Sequence, residues 1–223
     1  MAGKLRPLAE QLCALTEEDW RLYVFDGDPL SGKLTREQKL DFAAKAAACG
    51  QKMAEQLARD QGTLSVEERI AALGGKLVLP PEGNGGPMPL FASFTEPDQI
   101  AVYSGNARAT DRLRQEAGLE DLMGPAPTRE VLLAHELFHL LEYRDPGIYT
   151  RQKHLLLWKL GRWENRSSLF CLSEMAAMAF AQALTGLACS VYVLDVVMLY
   201  AGNPQLALEK RQAILDFVRR KAE

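Results

Sequence analysis

The chain has few of the features that mark a specialised protein. Its 223 residues include only four cysteines, Cys13, Cys49, Cys171 and Cys189, and no two stand at C-x-x-C spacing. Without a secretion signal they are expected to be reduced, partly buried thiols. Runs of one charge are missing as well. The 26 basic and 29 acidic residues are spread along the chain, net −3, so no Lys/Arg stripe offers a surface to DNA or RNA. The opening "MAGKLRPLAEQLCALTEEDW" lacks the apolar run of a signal peptide, and a cytoplasmic protein is expected. One stretch, "LTGLACSVYVLDVVMLYAG" (184–202), approaches the length of a membrane span. Asp195 interrupts it and no cationic flank precedes it, which favours a core helix and no membrane partner. Internal repeats and low-complexity tracts are absent.

What remains is an ordinary globular composition, 48% hydrophobic and 25% charged, enough to bury a sizeable core. A single domain over 1–223 is expected, with a helical region at 1–62 followed by a core at 63–223. In the first part, Thr35 and Gln38 have capping-box spacing ahead of a long helix ended by Gly62. Ser65 and Glu68 open a short one stopped by Gly74 and Gly75. "KLVLP" (76–80), "PLFASF" (89–94) and "QIAVYS" (99–104) then read as three strands. The loop between the first two, "PPEGNGGPMP", is a candidate flexible lip. Helices resume with "ARATDRLRQEAGL". A break at "MGPAPT" follows, and Thr128 is the expected N-cap of the next helix. Further helices are expected in "YTRQKHLLLWKLG", "LFCLSEMAAMAFAQALTG", the segment around Asp195 and "NPQLALEKRQAILDFVRRKA". Helices, a small three-stranded sheet and helices again make an α+β fold, mostly helical.

Two of the three histidines lie in "LLAHELFHLLEYRDPG" (132–147). Residues four apart on a helix differ by about 40° around the axis, so His135 and His139 point the same way one turn apart. Such a pair can share one Zn²⁺ through imidazole nitrogens. Glu136, on the neighbouring face, is placed to hold a water and take its proton, the arrangement of a metallohydrolase. The plainer alternative is a core helix. Val131, Leu132, Leu133, Leu137, Phe138, Leu140 and Leu141 surround the motif, and burying two histidines and a glutamate among them is costly without partners.

A catalytic zinc takes a third protein ligand and leaves one position open. Four carboxylates compete for the place. Asp145 precedes Pro146, where stopping the helix is role enough; Glu142 would reach back across the same helix; Glu164 falls in the expected loop "GRWENRSS". Glu174 is followed by Ala176, Ala177, Ala179 and Ala181, small residues that let its helix approach the first, and it is preferred. His154 is expected on a helix between the two ligand helices. There an oxyanion hydrogen bond is the functional reading and surface packing the ordinary one. Tyr143 and Tyr149 are similar candidates, and Asp195 is a candidate to orient a ligand histidine.

From about Ser65 to Leu187 the sequence resembles the ImmA/IrrE-like family of small zinc peptidases. "SVEERIAALGGKLVLP", "DQIAVYS", "REVLLAHELFHLLEY" and a later glutamate helix with "FAQAL" follow the family's order. The resemblance implies a minimal zincin-like (thermolysin-like) core with one zinc per chain on His135, His139 and a glutamate, and Glu136 as general base. It also implies a protein or peptide substrate, such as a transcriptional regulator, bound as an added strand. Phe138 stands where relatives usually have glycine, and Glu174 lies two residues before the usual glutamate position, now Ala176. The alternative is a metal-binding regulatory or interaction module with weak turnover on the same fold.

Overall fold

The computed structural model describes residues 2–80 and 90–222; the candidate lip lies, except for Pro80, outside them. The first helices, α1 (Ala2–Cys13) and α2 (Glu17–Asp26), are joined at Thr16, which forms a capping box with Asp19 that is not among the expected ones. After a 3-10 turn at Ser31–Lys33 comes α3 (Arg36–Gln61), which starts at the Thr35/Gln38 box and ends where Gly62 takes φ +58°. The next helix, α4 (Val66–Ala72), starts at the Ser65/Glu68 box, and Gly74 at φ +68° turns the chain away. Both expected boxes therefore form. Buried Arg69 fastens the corner between these helices, donating to the carbonyls of Leu57 (2.9 Å), Gly62 (2.6 Å) and Leu64 (2.8 Å).

The three expected strands form one sheet, each shorter than its apolar run: β1 (Lys76–Val78), β2 (Ala92–Thr95) and β3 (Gln99–Val102). Its order is β1-β3-β2. The central strand β3 is parallel to β1 and antiparallel to β2, with Ile100 opposite both Leu77 and Phe94. Ile100, Ala101 and Val102 are buried, as a central strand between a paired face and the helices requires. β2 is an edge strand and packs beside the motif helix.

Next come α5 (Ser104–Glu116), a single unanticipated turn α6 (Glu120–Met123), α7 (Thr128–Arg144) with the histidine motif, and α8 (Tyr149–Gln152). The helix expected from "YTRQKHLLLWKLG" does not form beyond α8. The rest is a β-hairpin, β4 (His154–Leu160) antiparallel to β5 (Trp163–Ser168), which also overturns the loop expected around Glu164. Leu160 pairs with Trp163 across a two-residue turn, where Gly161 supplies φ +58°, the conformation such tight hairpins need at their first turn residue. Burial alternates along β4: Leu155 and Leu157 are half-buried while His154, Leu156 and Trp158 are exposed. Consecutive leucines hide this two-residue period.

The chain closes with α9 (Phe170–Thr185), α10 (Val191–Gly202) and α11 (Pro204–Ala222). The long apolar stretch is not one helix: Leu184 and Thr185 end α9, and the chain becomes helical again only at Val191, as α10. Among the described residues no helix is long and apolar enough to cross a membrane. α9 runs between α3 and α7. A Cβ on Gly50 of α3 would lie 2.0 Å from the Ala176 carbonyl oxygen, so the small residues of α9 serve its approach to α3. Towards α7, Phe180 and Phe138 meet with ring centroids 5.7 Å apart. Phe138 is fully buried here.

Candidate metal centre

The two helices that carry the site do not cap themselves. Thr128, the expected N-cap of α7, is its first helical residue. Its backbone N–H donates to Asp111 Oδ1 of α5 at 3.0 Å and its hydroxyl to the same oxygen at 2.5 Å. At the start of α9, the Cys171 N–H donates to Asp28 Oδ2 at 3.2 Å, and Asp28 is buried. Both aspartates satisfy an orphan donor of the first turn and place negative charge at the positive helix end. They come from distant elements, so each holds its helix in position relative to the rest of the fold. Buried Arg114 fixes the entry to α7 further, donating to the carbonyls of Gly124 and Ala126, each at 2.9 Å.

Held this way, α7 and α9 bring three ligand-type side chains together. His135 Nε2 and His139 Nε2 are 3.1 Å apart. Glu174 Oε2 lies 3.3 Å from His135 Nε2 and Oε1 lies 3.5 Å from His139 Nε2. Zinc–nitrogen and zinc–oxygen bonds of 2.0–2.1 Å in a tetrahedron separate the ligand atoms by about 3.3–3.4 Å. The three separations bracket that edge. Two imidazole nitrogens facing each other also need a proton or cation between them, because two lone pairs repel. Among the described residues, His135, His139 and Glu174 are the only group of three such side chains able to hold a metal ion.

The competing carboxylates have other duties. Asp145 ends α7 and accepts from the Gly147 N–H at 2.7 Å. Glu164 sits on β5, paired with Lys159 (2.6 Å) and Arg166 (2.9 Å). Glu142 supports the site from outside the ligand set. Its Oε2 is 3.5 Å from His139 Nδ1 and accepts from the Ser173 hydroxyl at 2.6 Å, while Oε1 accepts from the Thr150 hydroxyl. Burial alone would raise the Glu142 carboxyl, but hydrogen bonds from His139, Ser173 and Thr150 outweigh it and hold it below the ordinary range. A carboxylate beside Nδ1 is the partner that orients a metal-ligating histidine with Nε2 facing the centre. This supporting role of Glu142, Ser173 and Thr150 was not among the expected ones. The i,i+3 spacing from His139 is its only sequence signal.

Glu136 is 7% exposed and opens on the same cleft, ≈ 750 Å³ in volume, as His135, His139 and Glu174. Burial raises its carboxyl pKa, against the nearby histidines and the backbone N–H of Phe94 on β2. Burial lowers that of His135, yet the Glu174 hydrogen bond and the charges of Glu136, Glu174 and Asp195 raise it overall. Glu174, whose side chain is half exposed, moves the other way: the hydrogen bond from His135 and the charges of His135 and His139 hold it low.

The remaining candidates separate clearly. Tyr143 lines the cleft beside Phe94, ring centroids 6.1 Å apart. Tyr149 is not part of that lining, and its buried hydroxyl has no hydrogen-bond partner among the described residues. His154 reaches the cleft from the first residue of β4, not from a helix, and its Nδ1–H donates to the Gln152 carbonyl at 2.9 Å. That bond leaves Nε2 of neutral His154 without a proton to donate. Asp195 shares a small cavity of ≈ 190 Å³ with His135, Glu136 and Glu174. Burial pushes its carboxyl up to about 6, with Lys210 and His135 acting in the opposite sense, so it acts on His135 through charge. No protein-family model, curated protein or solved structure matches this chain.

Proposed function

We propose that this chain is a zinc-dependent peptidase, with His135, His139 and Glu174 as metal ligands and Glu136 as general base. The observation that carries the reading is the triangle of donor atoms at 3.1, 3.3 and 3.5 Å beside a buried glutamate in an open cleft. Bound there, zinc would supply Lewis acidity to a substrate carbonyl and lower the pKa of water to about 7.

The chain's own groups supply the rest. Glu136, raised by burial, takes a proton from a water in the cleft and returns it to the leaving amine. Glu142 and Ser173 keep His139 oriented. Among the described residues no strand pairs with the outer edge of β2, which lines the cleft through Ala92, Ser93 and Phe94 and offers an extended segment a place for strand addition. A peptide in that register would lay its backbone past Glu136. The resemblance to the ImmA/IrrE-like peptidases and their zincin-like core supports the same reading, and from that resemblance we take a protein such as a transcriptional regulator as the proposed substrate class. A purely structural zinc site closes its fourth position with Cys or His, whereas this group has three members among the described residues.

Glu136→Gln tests the assignment. The variant should retain zinc and lose hydrolysis of a mixed peptide library, read by mass spectrometry, by about 10²–10⁴-fold. Full activity in the variant would exclude Glu136 as the base. If wild type binds zinc and cuts nothing in the library or in a cell extract, the metal-binding interaction module takes its place.

A further inference from the structure

The β4–β5 hairpin sorts its side chains by face. Its register sets Trp158 opposite Asn165 and Leu160 opposite Trp163, so these four share one side, while Lys159, Glu164 and Arg166 share the other. The register shift between Leu156 and Trp158 brings Trp158 and Leu160 onto the face of Leu155, which packs against the core at the base of the hairpin. Towards the tip that apolar face meets no core: Trp158 is 54% exposed, Leu160 73% and Trp163 65%. The polar face is internally paired, with Glu164 held by Lys159 and Arg166. At the turn, the Arg162 guanidinium lies 5.8 Å from the centroid of the Trp163 ring.

We infer that this hairpin docks on the surface of an anionic lipid bilayer. Charge is the first argument. From Arg151 to Arg166 the chain carries five Lys and Arg against the single acid Glu164, net +4, within a chain of net −3. Such a cluster is drawn to anionic headgroups. The apolar side chains are the second. Tryptophan rings settle at the level of the headgroups, and a leucine between two of them adds apolar area for the acyl boundary while long basic side chains reach back to the phosphates.

Two other occupants fit less well. A second copy would set one +4 hairpin against another, and the two tryptophans offer only about 300 Å² of exposed area, short of the roughly 800 Å² per partner of a stable interface. An acidic protein would answer the charge, but side chains at the tip of a two-stranded hairpin project and do not enclose, which suits insertion between headgroups. The contact is with a surface and needs no spanning helix, and it revises the expectation of no membrane partner. His154 and Ser168, the pair at the base of the hairpin, line the metal cleft, so docking sets that cleft beside the bilayer. The inference stands apart from the peptidase reading.

Full-length protein should be mixed with vesicles of phosphatidylcholine alone or of equal parts phosphatidylcholine and phosphatidylglycerol, then sedimented. It should pellet with the anionic vesicles and stay in solution with the neutral ones. Its tryptophan emission should shift to the blue on binding, and added salt should release it. Trp158→Ala combined with Trp163→Ala, two exposed positions, should weaken binding about tenfold or more with an unchanged circular dichroism spectrum. Wild type that ignores anionic vesicles, or binds neutral ones equally well, would overturn the inference without recourse to any variant, and so would a double variant that binds like wild type. Without vesicle binding, a dimer in sedimentation equilibrium that the double variant abolishes would give the face to a second copy, and an emission shift with poly-glutamate would give it to an acidic protein; either result overturns the lipid surface.

Discussion

A histidine pair on an apolar helix face is expensive until something positive sits between the rings, and the surrounding side chains are arranged around that need. Glu174 supplies negative charge on one side, and Glu142 accepts the far ring proton of His139 on the other. The Glu142 role makes a definite expectation. Glu142→Ala should weaken zinc binding about 10–100-fold in chelator competition, the usual cost of losing a partner behind a ligand histidine, while the fold persists. Unchanged affinity would reduce Glu142 to a packing residue. The raised His135 pKa sets a second. Metal must displace the proton, so affinity is highest above that pKa and falls as pH drops through it. An imidazole at the ordinary value of about 6.5 would cost about tenfold between pH 7.5 and 5.5. His135 should cost more, and equal affinity at the two pH values would contradict its place in the site. Sequence spacing alone reaches His135, Glu136 and His139 because a single helix sets their relation. It reaches Glu174 through helix packing, but not Glu142, whose partners Ser173 and Thr150 come from two other elements.

Between elements, placement depends on contacts that local propensity cannot reveal. α7 and α9 each begin without a capping side chain of their own and take one from Asp111 and Asp28. The Thr128 expectation fails for that reason. Asp28→Ala should lower stability by about 0.5–2 kcal/mol, the range for a lost helix cap, as read by urea denaturation, and a smaller loss would deny the cap its role. Gly50→Ala should do more. Its Cβ would meet the Ala176 carbonyl oxygen, a backbone atom that can yield only if α9 moves, so melting temperature and zinc affinity should fall together. An unaffected zinc affinity would mean that the α3 contact does not position Glu174. The β4–β5 hairpin is hidden in the sequence for a different reason. Its four-residue apolar run, Leu155 to Trp158, suits a buried helix as well as a strand, and the deciding residue, Gly161, lies three residues beyond that run.

Across the whole molecule, elements with strong local signals are legible in sequence: the helices opened by Thr35 and Ser65, the three short strands, and the motif helix. The α+β class with its small three-stranded sheet follows from their order. Long-range fastening is not legible, whether at Arg69, at Asp111 or at Asp28. The candidate metal centre stands where both kinds of information meet, since one local motif is completed by one residue from a packed neighbour. Bound metal is therefore the most direct measurement, made by elemental analysis on protein purified without chelator or affinity tag. Wild type should carry about one zinc per chain, the stoichiometry of a single three-ligand site, and His139→Ala and Glu174→Ala should lose it. Wild type that carries none even after zinc is supplied, or a Glu174→Ala variant that keeps its zinc, would contradict the site.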